Sequence, residues 1–358
     1  MPAKKVLFFL SFVTLLSCSY NARVEKPSLS EKTGKKEYSR YSIVFIIHGD
    51  DSYVYHDNKG NRYYADRRAL AQAKAVGQSL NNSEVFIFHL KPKAKFLFFF
   101  EKKDGNSFYY RNGELHKKQN YFWAKTDSAF GFESRFYSIY SNQSRHTKSL
   151  LFYYGHEIAE IKNQVYNKSH PNQRFSMPIF ARGLENLYTT QLDRGKPVDL
   201  LTLSVCYGGT PGIISTLSKY TRYVLTSPGN LHLSYIDSKL LIPLLNNSSD
   251  DFKNTVEKYV RVAFNHLKER TETMVSLGLY DTSVLEKNLG PLISAYSKQM
   301  NQVTTMARCV DCQTDSVLKD LLPENGVQVF YRAPRFGKAK NKHTHSGWGC
   351  WEPVSDSF

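Results

Sequence analysis

The sequence runs to 358 residues with a formal charge of +16 and 41% hydrophobic side chains, which suits one large α/β domain with insertions. Five cysteines are too few for a disulfide scaffold, so the fold must rest on an apolar core. The 48 lysines and arginines are scattered and no nucleic-acid motif accompanies them, so the charge reads as solvated surface and no nucleic-acid partner is expected.

The chain opens with two lysines, an apolar stretch from Val6 to Leu16, then Ser17 and Cys18. The stretch is too short to span a bilayer and closes on small residues, which is the pattern of a secretory signal. Leu15, Leu16, Ser17 and Cys18 resemble the bacterial lipobox, in which the cysteine is lipidated and becomes the new N-terminus. The expectation is a signal peptide over 1–17, lipid on Cys18 and a polar tether over 18–41. The domain then works outside the cytoplasm, anchored to a bacterial membrane, the outer one. No other uninterrupted apolar run reaches spanning length, so lipid alone provides the attachment.

Beyond the tether, Ser42 to Ile47 (SIVFII) reads as a buried parallel strand that ends in His48, Gly49 and Asp50. A helix is expected over Asp66 to Leu80 and a second strand over Glu84 to Leu90, giving a β-α-β opening. Residues 95–125 change character: aromatic runs separated by Asp-Gly and Asn-Gly predict an antiparallel hairpin insertion. The parallel pattern resumes with a strand over Ser149 to Tyr154 followed by Gly155 and His156. A helix within Ile179 to Leu192 and a strand over Asp199 to Val205 lead to Cys206. A helix opening near Thr210 precedes a short strand over Arg222 to Thr226. Residues 238–300 look largely helical, Phe252 to Thr271 most clearly, and Val327 to Arg332 reads as a late strand. Alternating strands and helices give a mostly parallel sheet, which places its working groups at the carboxyl ends of its strands.

His156 and Cys206 stand at equivalent places, each just past a strand. Neighbouring strands lie about 4.8 Å apart, so if these two are adjacent the imidazole and thiol can meet, the arrangement a thiolate nucleophile needs. Thr210 can cap the next helix, with Pro211 at its first position, opening the positive end of that helix near the sulfur. Gly208 and Gly209 allow close backbone approach and leave space for a substrate. His48 also ends a strand and is a rival base. Taken singly, such a cysteine is most often a small hydrophobe and such a histidine structural.

Three segments, SIVFIIHGDD, LLFYYGHE and VDLLTLSVCYGG, resemble the clostripain-like cysteine peptidases of the caspase-like fold. The resemblance covers roughly residues 42–240. It implies a caspase-like, mostly parallel sheet flanked by helices over residues 42–300, with the hairpin insertion and a helical C-terminal part. It also implies a Cys-His dyad acting on a protein or peptide, with Cys206 as nucleophile and His156 as general acid and base. Amides beside Gly155, Glu157 and Cys206 would hold the oxyanion. Two positions depart from the family pattern: Glu157 replaces the usual glycine after the histidine, and Ser204 replaces an acid that selects a basic side chain before the cut bond. Asp50 or Asp237 could supply that carboxylate instead. The alternative reading is a catalytically degenerate surface lipoprotein that serves as a binding or adhesion module.

Residues 301–358 read as a cysteine-containing C-terminal tail. Cys309, Cys312, Cys350, His343 and His345 include enough ligands for a tetrahedral zinc site, but in an oxidising compartment a disulfide of Cys350 with Cys309 or Cys312 is the expectation. HEIAE at 156–160 has glutamate where a zincin helix needs its second histidine, so no metal and no cofactor are assigned. VCYGG also hints at the nucleophile elbow of an α/β-hydrolase, although Ser204 stands where the motif needs its first glycine.

Overall fold

The computed structural model describes residues 39–50, 54–56, 62–92, 95–96, 100–101, 103–123, 129–141, 146–161, 167, 169–170, 175–189, 195–231, 236–247, 251–303 and 307–353. The signal peptide, Cys18 and most of the tether lie outside the described residues.

The main elements in chain order are β1 (Ser39–His48), α1 (Ala65–Ser79), β2 (Ser83–Leu90), β3 (Gly105–Arg111), β4 (Glu114–Tyr121), α2 (Gly131–Tyr140), β5 (His146–Tyr154), α3 (Met177–Tyr188), β6 (Val198–Ser204), α4 (Pro211–Leu217), β7 (Thr221–Thr226), α5 (Phe252–Arg270), β8 (Val275–Asp281), α6 (Gly290–Met300), β9 (Ala307–Asp311), β10 (Val327–Arg332) and β11 (Gly349–Pro353). Nine of the strands form one sheet in the order β10-β8-β7-β6-β5-β1-β2-β3-β4. The five in the middle, from β7 to β2, are mutually parallel. At either side the sheet is extended by antiparallel strands.

Strands in the middle read as continuous apolar runs because both faces are covered. Val44, Ile46, Leu151, Leu201, Leu203 and Val205 face a cluster shared with α2, α3, α4 and α6. Their neighbours Ile43, Phe45, Ile47, Leu150, Phe152 and Leu200 face α1 and α5. The parallel strands follow the order 2-1-3-4-5, so the winding reverses between β1 and β5, where open α/β sheets keep their clefts. No helix among the described residues is long and apolar enough to cross a membrane.

The structure corrects several expectations. β1 starts at Ser39, inside the expected tether. The hairpin is real, but it extends the main sheet as β3 and β4, and only Asn112-Gly113 makes its turn, both residues having positive φ (51° and 88°). Asp104-Gly105 instead starts β3, with the Asp104 carboxylate accepting the Trp123 N–H at 2.6 Å. Residues 238–300 are largely helical as expected, but the expectation missed β8, which crosses them with Val275, Leu277 and Leu279 packed on the α5 side and Tyr280 on the other. That period of two was hidden between longer helical stretches. The segment after residue 300 is no separate tail, since β10 is an edge strand of the sheet and Trp348, Cys350 and Trp351 are buried in its core.

One buried acid makes stability depend on pH. Glu133 of α2 is 1% exposed and accepts the Tyr121 hydroxyl at 2.8 Å, and burial raises its carboxyl from 4.5 to about 7. Between those values the folded chain holds a proton that the unfolded chain releases, so this contribution is complete below pH 4.5 and is lost as pH rises through 7. Glu133→Gln should flatten that loss by about 3 kcal/mol. Urea unfolding at pH 5 and pH 8 measures it, and an unchanged pH slope in the variant would refute the assignment.

Candidate active site

The carboxyl ends of the parallel strands share one edge. There β1 runs into Gly49 and Asp50, β5 into Gly155 and His156, and β6 into Val205 and Cys206. β5 and β6 are adjacent, paired from Leu200 opposite Leu150 to Ser204 opposite Tyr154. That pairing ends two residues before His156 and two before Cys206, so both leave neighbouring strands at the same level of the edge. Both are partly exposed, so the thiol is not sealed in the core.

The histidine has a carboxylate beside it. His156 Nε2 lies 3.1 Å from Oδ2 of Asp50, whose side chain is 1% exposed, and the other Asp50 oxygen accepts the Ser169 hydroxyl at 3.0 Å. Asn167 Nδ2 donates to the Gly49 carbonyl at 3.0 Å and fixes the turn that carries Asp50. His48, the rival base, points into the opposite face. It is 4% exposed, hydrogen-bonded to the Tyr153 hydroxyl at 3.2 Å and packed edge-on to Trp123, Tyr153 and Phe175. Burial first, then His170 and His89, lower its pKa to about 3, so it stays neutral inside an aromatic cage.

On the other side of Cys206, its Sγ donates to Asn230 Oδ1 at 3.0 Å. An acceptor for the thiol proton favours the neutral thiol. Asn230 lies after β7 in Ser227-Pro228-Gly229-Asn230, where the sequence shows only turn chemistry. Tyr207, with φ 55°, is the residue that turns the chain. Burial, together with Cys206, Cys309 and half-buried Glu157, raises its phenol to about 12.

Ser204 and Asp237 serve the chain itself. The fully buried Ser204 hydroxyl accepts the Ile236 N–H at 3.0 Å, and Asp237 accepts the Lys239 N–H at 3.0 Å and lies 3.9 Å from His266. Thr210 caps α4 as expected, accepting the Ile213 N–H at 3.2 Å, with Pro211 at the first position. The two glycines do a different job from the one expected. A Cβ on Gly208 would strike Thr226 and one on Gly209 would strike the Tyr280 hydroxyl and Pro228, so the room they make is filled by neighbouring chain.

The C-terminal ribbon completes the surroundings. β9 and β11 pair antiparallel, and the disulfide joins Cys312 to Cys350, leaving Cys309 a thiol. Gly349 N donates to Gly209 O at 3.0 Å, and Trp351 stands edge-on to Tyr207 with ring centres 5.2 Å apart. Tyr207 N and Gly209 N donate to the Gly229 and Ser227 carbonyls. The cysteine loop is thus held by β6, the turn after β7 and the ribbon. Among the described residues no group of three or more His, Cys, Asp or Glu side chains is gathered to hold a metal ion.

The family model of the Clostripain family, peptidase C11, matches residues 152–331, half of the sequence, and that stretch includes both His156 and Cys206. The chain belongs to the clostripain family. Its fold is similar to that of a secreted C11 cysteine protease from Bacteroides thetaiotaomicron in complex with an irreversible peptide inhibitor. That likeness has a TM-score of 0.53 and 13% identity, over 90% of this chain and 91% of that one. A second structure from that organism, a secreted C11 cysteine protease called iotapain, gives a TM-score of 0.55 at 13% identity over 87% and 93%. An inactive zymogen C11 protease from Parabacteroides distasonis gives 0.52 at 10% identity over 89% and 93%. No curated protein matches the sequence. At these identities the likeness shows the clostripain-type fold, with its mainly parallel sheet flanked by helices.

Proposed function

We propose that this clostripain-family protein is a thiol endopeptidase acting on a protein or peptide substrate. The observations that carry the reading are the adjacency of β5 and β6, whose pairing ends at Ser204 opposite Tyr154, two residues before Cys206 and His156, and the Asp50 carboxylate 3.1 Å from the histidine. In the first step the Cys206 thiolate bonds to the peptide carbonyl carbon, and amides near Cys206 and Glu157 receive the negative oxygen. His156 then gives a proton to the amine as the C–N bond breaks, leaving an acyl-enzyme that water hydrolyses with His156 as base. Asp50 faces Nε2, leaving Nδ1 for the sulfur, and its charge favours the imidazolium formed in between.

Cleavage after Arg or Lys has weaker support. Ser204 is not an acid, and both Asp50 and Asp237 are buried against partners in the chain. In the same proposal the mature chain is a lipoprotein carrying its lipid on Cys18, facing the outside of the cytoplasm from the outer membrane. The thiol bonded to Asn230 and the replaced Glu157 and Ser204 favour a second reading, a binding module built on a degenerate site.

The test is thiol reactivity. Residues 19–358 are titrated with iodoacetamide across pH, the modified cysteines mapped by mass spectrometry, and His156→Ala run in parallel. Cys206 is expected to alkylate at least about one pH unit below a free thiol's ~8.5, and His156→Ala should remove that shift. A Cys206 that is inert or behaves as a free thiol would falsify the peptidase reading and leave the binding module.

A further inference from the structure

We propose that Glu160 is a positioning residue of this site, joining the histidine loop to the cysteine loop and the C-terminal ribbon and keeping His156 and Cys206 in working register while it is ionised. The inference rests on the peptidase reading above.

Glu160 lies four residues after His156, and in the sequence it is only the residue that spoils a zinc motif. In the fold its carboxylate is the meeting point of four elements. Oε2 accepts the Thr210 hydroxyl at 2.8 Å and the Trp351 indole N–H at 3.0 Å, and the Tyr296 hydroxyl of α6 stands 3.4 Å from both oxygens. Thr210 lies four residues after Cys206 and caps α4 with the same hydroxyl oxygen, so its proton is directed at Glu160 while its oxygen takes the Ile213 N–H. A shift of Glu160 therefore moves the helix start behind the cysteine. Trp351 belongs to the ribbon strand whose Gly349 holds Gly209.

The chain has left room for this group. A Cβ on Gly212, the second residue of α4, would lie 2.5 Å from Glu160 Oε1 and 3.1 Å from the Tyr296 ring. Any side chain there would expel the carboxylate. Glu160 keeps some exposure as a residue, but its carboxylate faces inward among these donors.

The charge state decides how many bonds the clamp has. Ionised, the carboxylate accepts from all three side chains. Protonated, one oxygen becomes a donor, and the Trp351 indole can only donate, so the acceptor sites the clamp needs are reduced. Desolvation raises the Glu160 carboxyl to about 7 against the opposing bonds from Thr210, Trp351 and Tyr296. The other titratable groups against it, Tyr296 from α6 and Cys309 from β9, are raised as well and stay neutral, while Glu157, Asp311 and Glu352 face Cys309. The clamp therefore changes charge near neutral pH, within the range in which the site must work.

The experiment measures Cys206 alkylation by iodoacetamide from pH 5.5 to 9, site by site, together with hydrolysis of a peptide library, in wild type, Glu160→Gln, Trp351→Phe and Gly212→Ala. Wild type should show a reactivity limb near pH 7 in addition to thiol ionisation. Glu160→Gln should erase that limb, lowering alkylation and turnover about tenfold at pH 8 with little change below pH 6. Trp351→Phe, which removes one donor, should move the limb to higher pH, and Gly212→Ala, whose Cβ meets Glu160 Oε1, should lower the plateau although it removes no hydrogen-bonding side chain. A uniform loss at every pH, or no loss in Glu160→Gln and an unmoved limb in Trp351→Phe, overturns the clamp. A wild-type Cys206 that is reactive with the limb but cleaves no peptide retains the clamp and removes the peptidase. A Cys206 inert in wild type removes both.

Discussion

An Asp50→Asn variant is expected to lose roughly a hundred- to a thousandfold in kcat while KM for the same peptide changes by no more than about twofold. The argument starts at the end of β1, where Asp50 is buried and its carboxylate stands 3.1 Å from His156 Nε2. Asparagine fills the same volume and can still receive the Ser169 hydroxyl, so the fold should survive. What disappears is the negative charge beside the imidazole, which in the proposed mechanism becomes imidazolium when the thiolate forms. An amide can also turn its NH2 toward Nε2 and favour the wrong tautomer. The same substitution separates two roles for Asp50. A carboxylate that binds a basic substrate side chain would show its loss mainly in KM, and only for substrates with Arg or Lys at the cut. If kcat is preserved, Asp50 does not position the histidine.

The second large effect is expected at the disulfide. A Cys312→Ala, Cys350→Ala double variant should lose about 3 to 4 kcal/mol of unfolding free energy, and most of its Cys206 reactivity. The bridge spans 38 residues, and closing a loop of that length restricts the unfolded chain by about 4 kcal/mol in the entropy account. Both sulfurs are fully buried, so the native side loses packing as well. The consequence reaches the site because the ribbon carries Gly349, which holds Gly209, and Trp351, which meets both Tyr207 and Glu160. Urea unfolding followed by tryptophan emission reports it, since Trp348 and Trp351 are 1% and 6% exposed and should redden as the ribbon loosens. An unchanged urea midpoint, in the variant or after reduction of the wild type, would show that the bridge is dispensable.

The middle of the sheet was legible in the sequence because β1, β2, β5 and β6 are buried on both faces and so read as unbroken apolar runs. Their shared direction then placed His156 and Cys206 along one edge. β8 escaped notice because its alternation covers only Val275 to Leu279 and lies between helices. The disulfide was narrowed to two pairings, and the choice needed the ribbon register, in which Val310 stands opposite Cys350 and Cys309 opposite Trp351. Asn230 and Glu160 were illegible for a different reason. Their importance lies in contacts across 24, 50 and 191 residues of chain, to Cys206, Thr210 and Trp351, and no local pattern encodes a partner so far away. His48 gave a false signal, since a histidine at a strand end looks the same in sequence whether it faces a cleft or a cage of rings.

The bond from Gly349 to Gly209 sets an order of events during synthesis. The cysteine loop leaves the ribosome long before the strand that holds it, and the ribbon is locked only when Cys350 finds Cys312. A growing chain can therefore pair its central strands while the Cys206 loop still lacks one of its supports. Such a chain carries the Cys206 loop without the contacts that Gly349 makes to Gly209 and Trp351 to Tyr207.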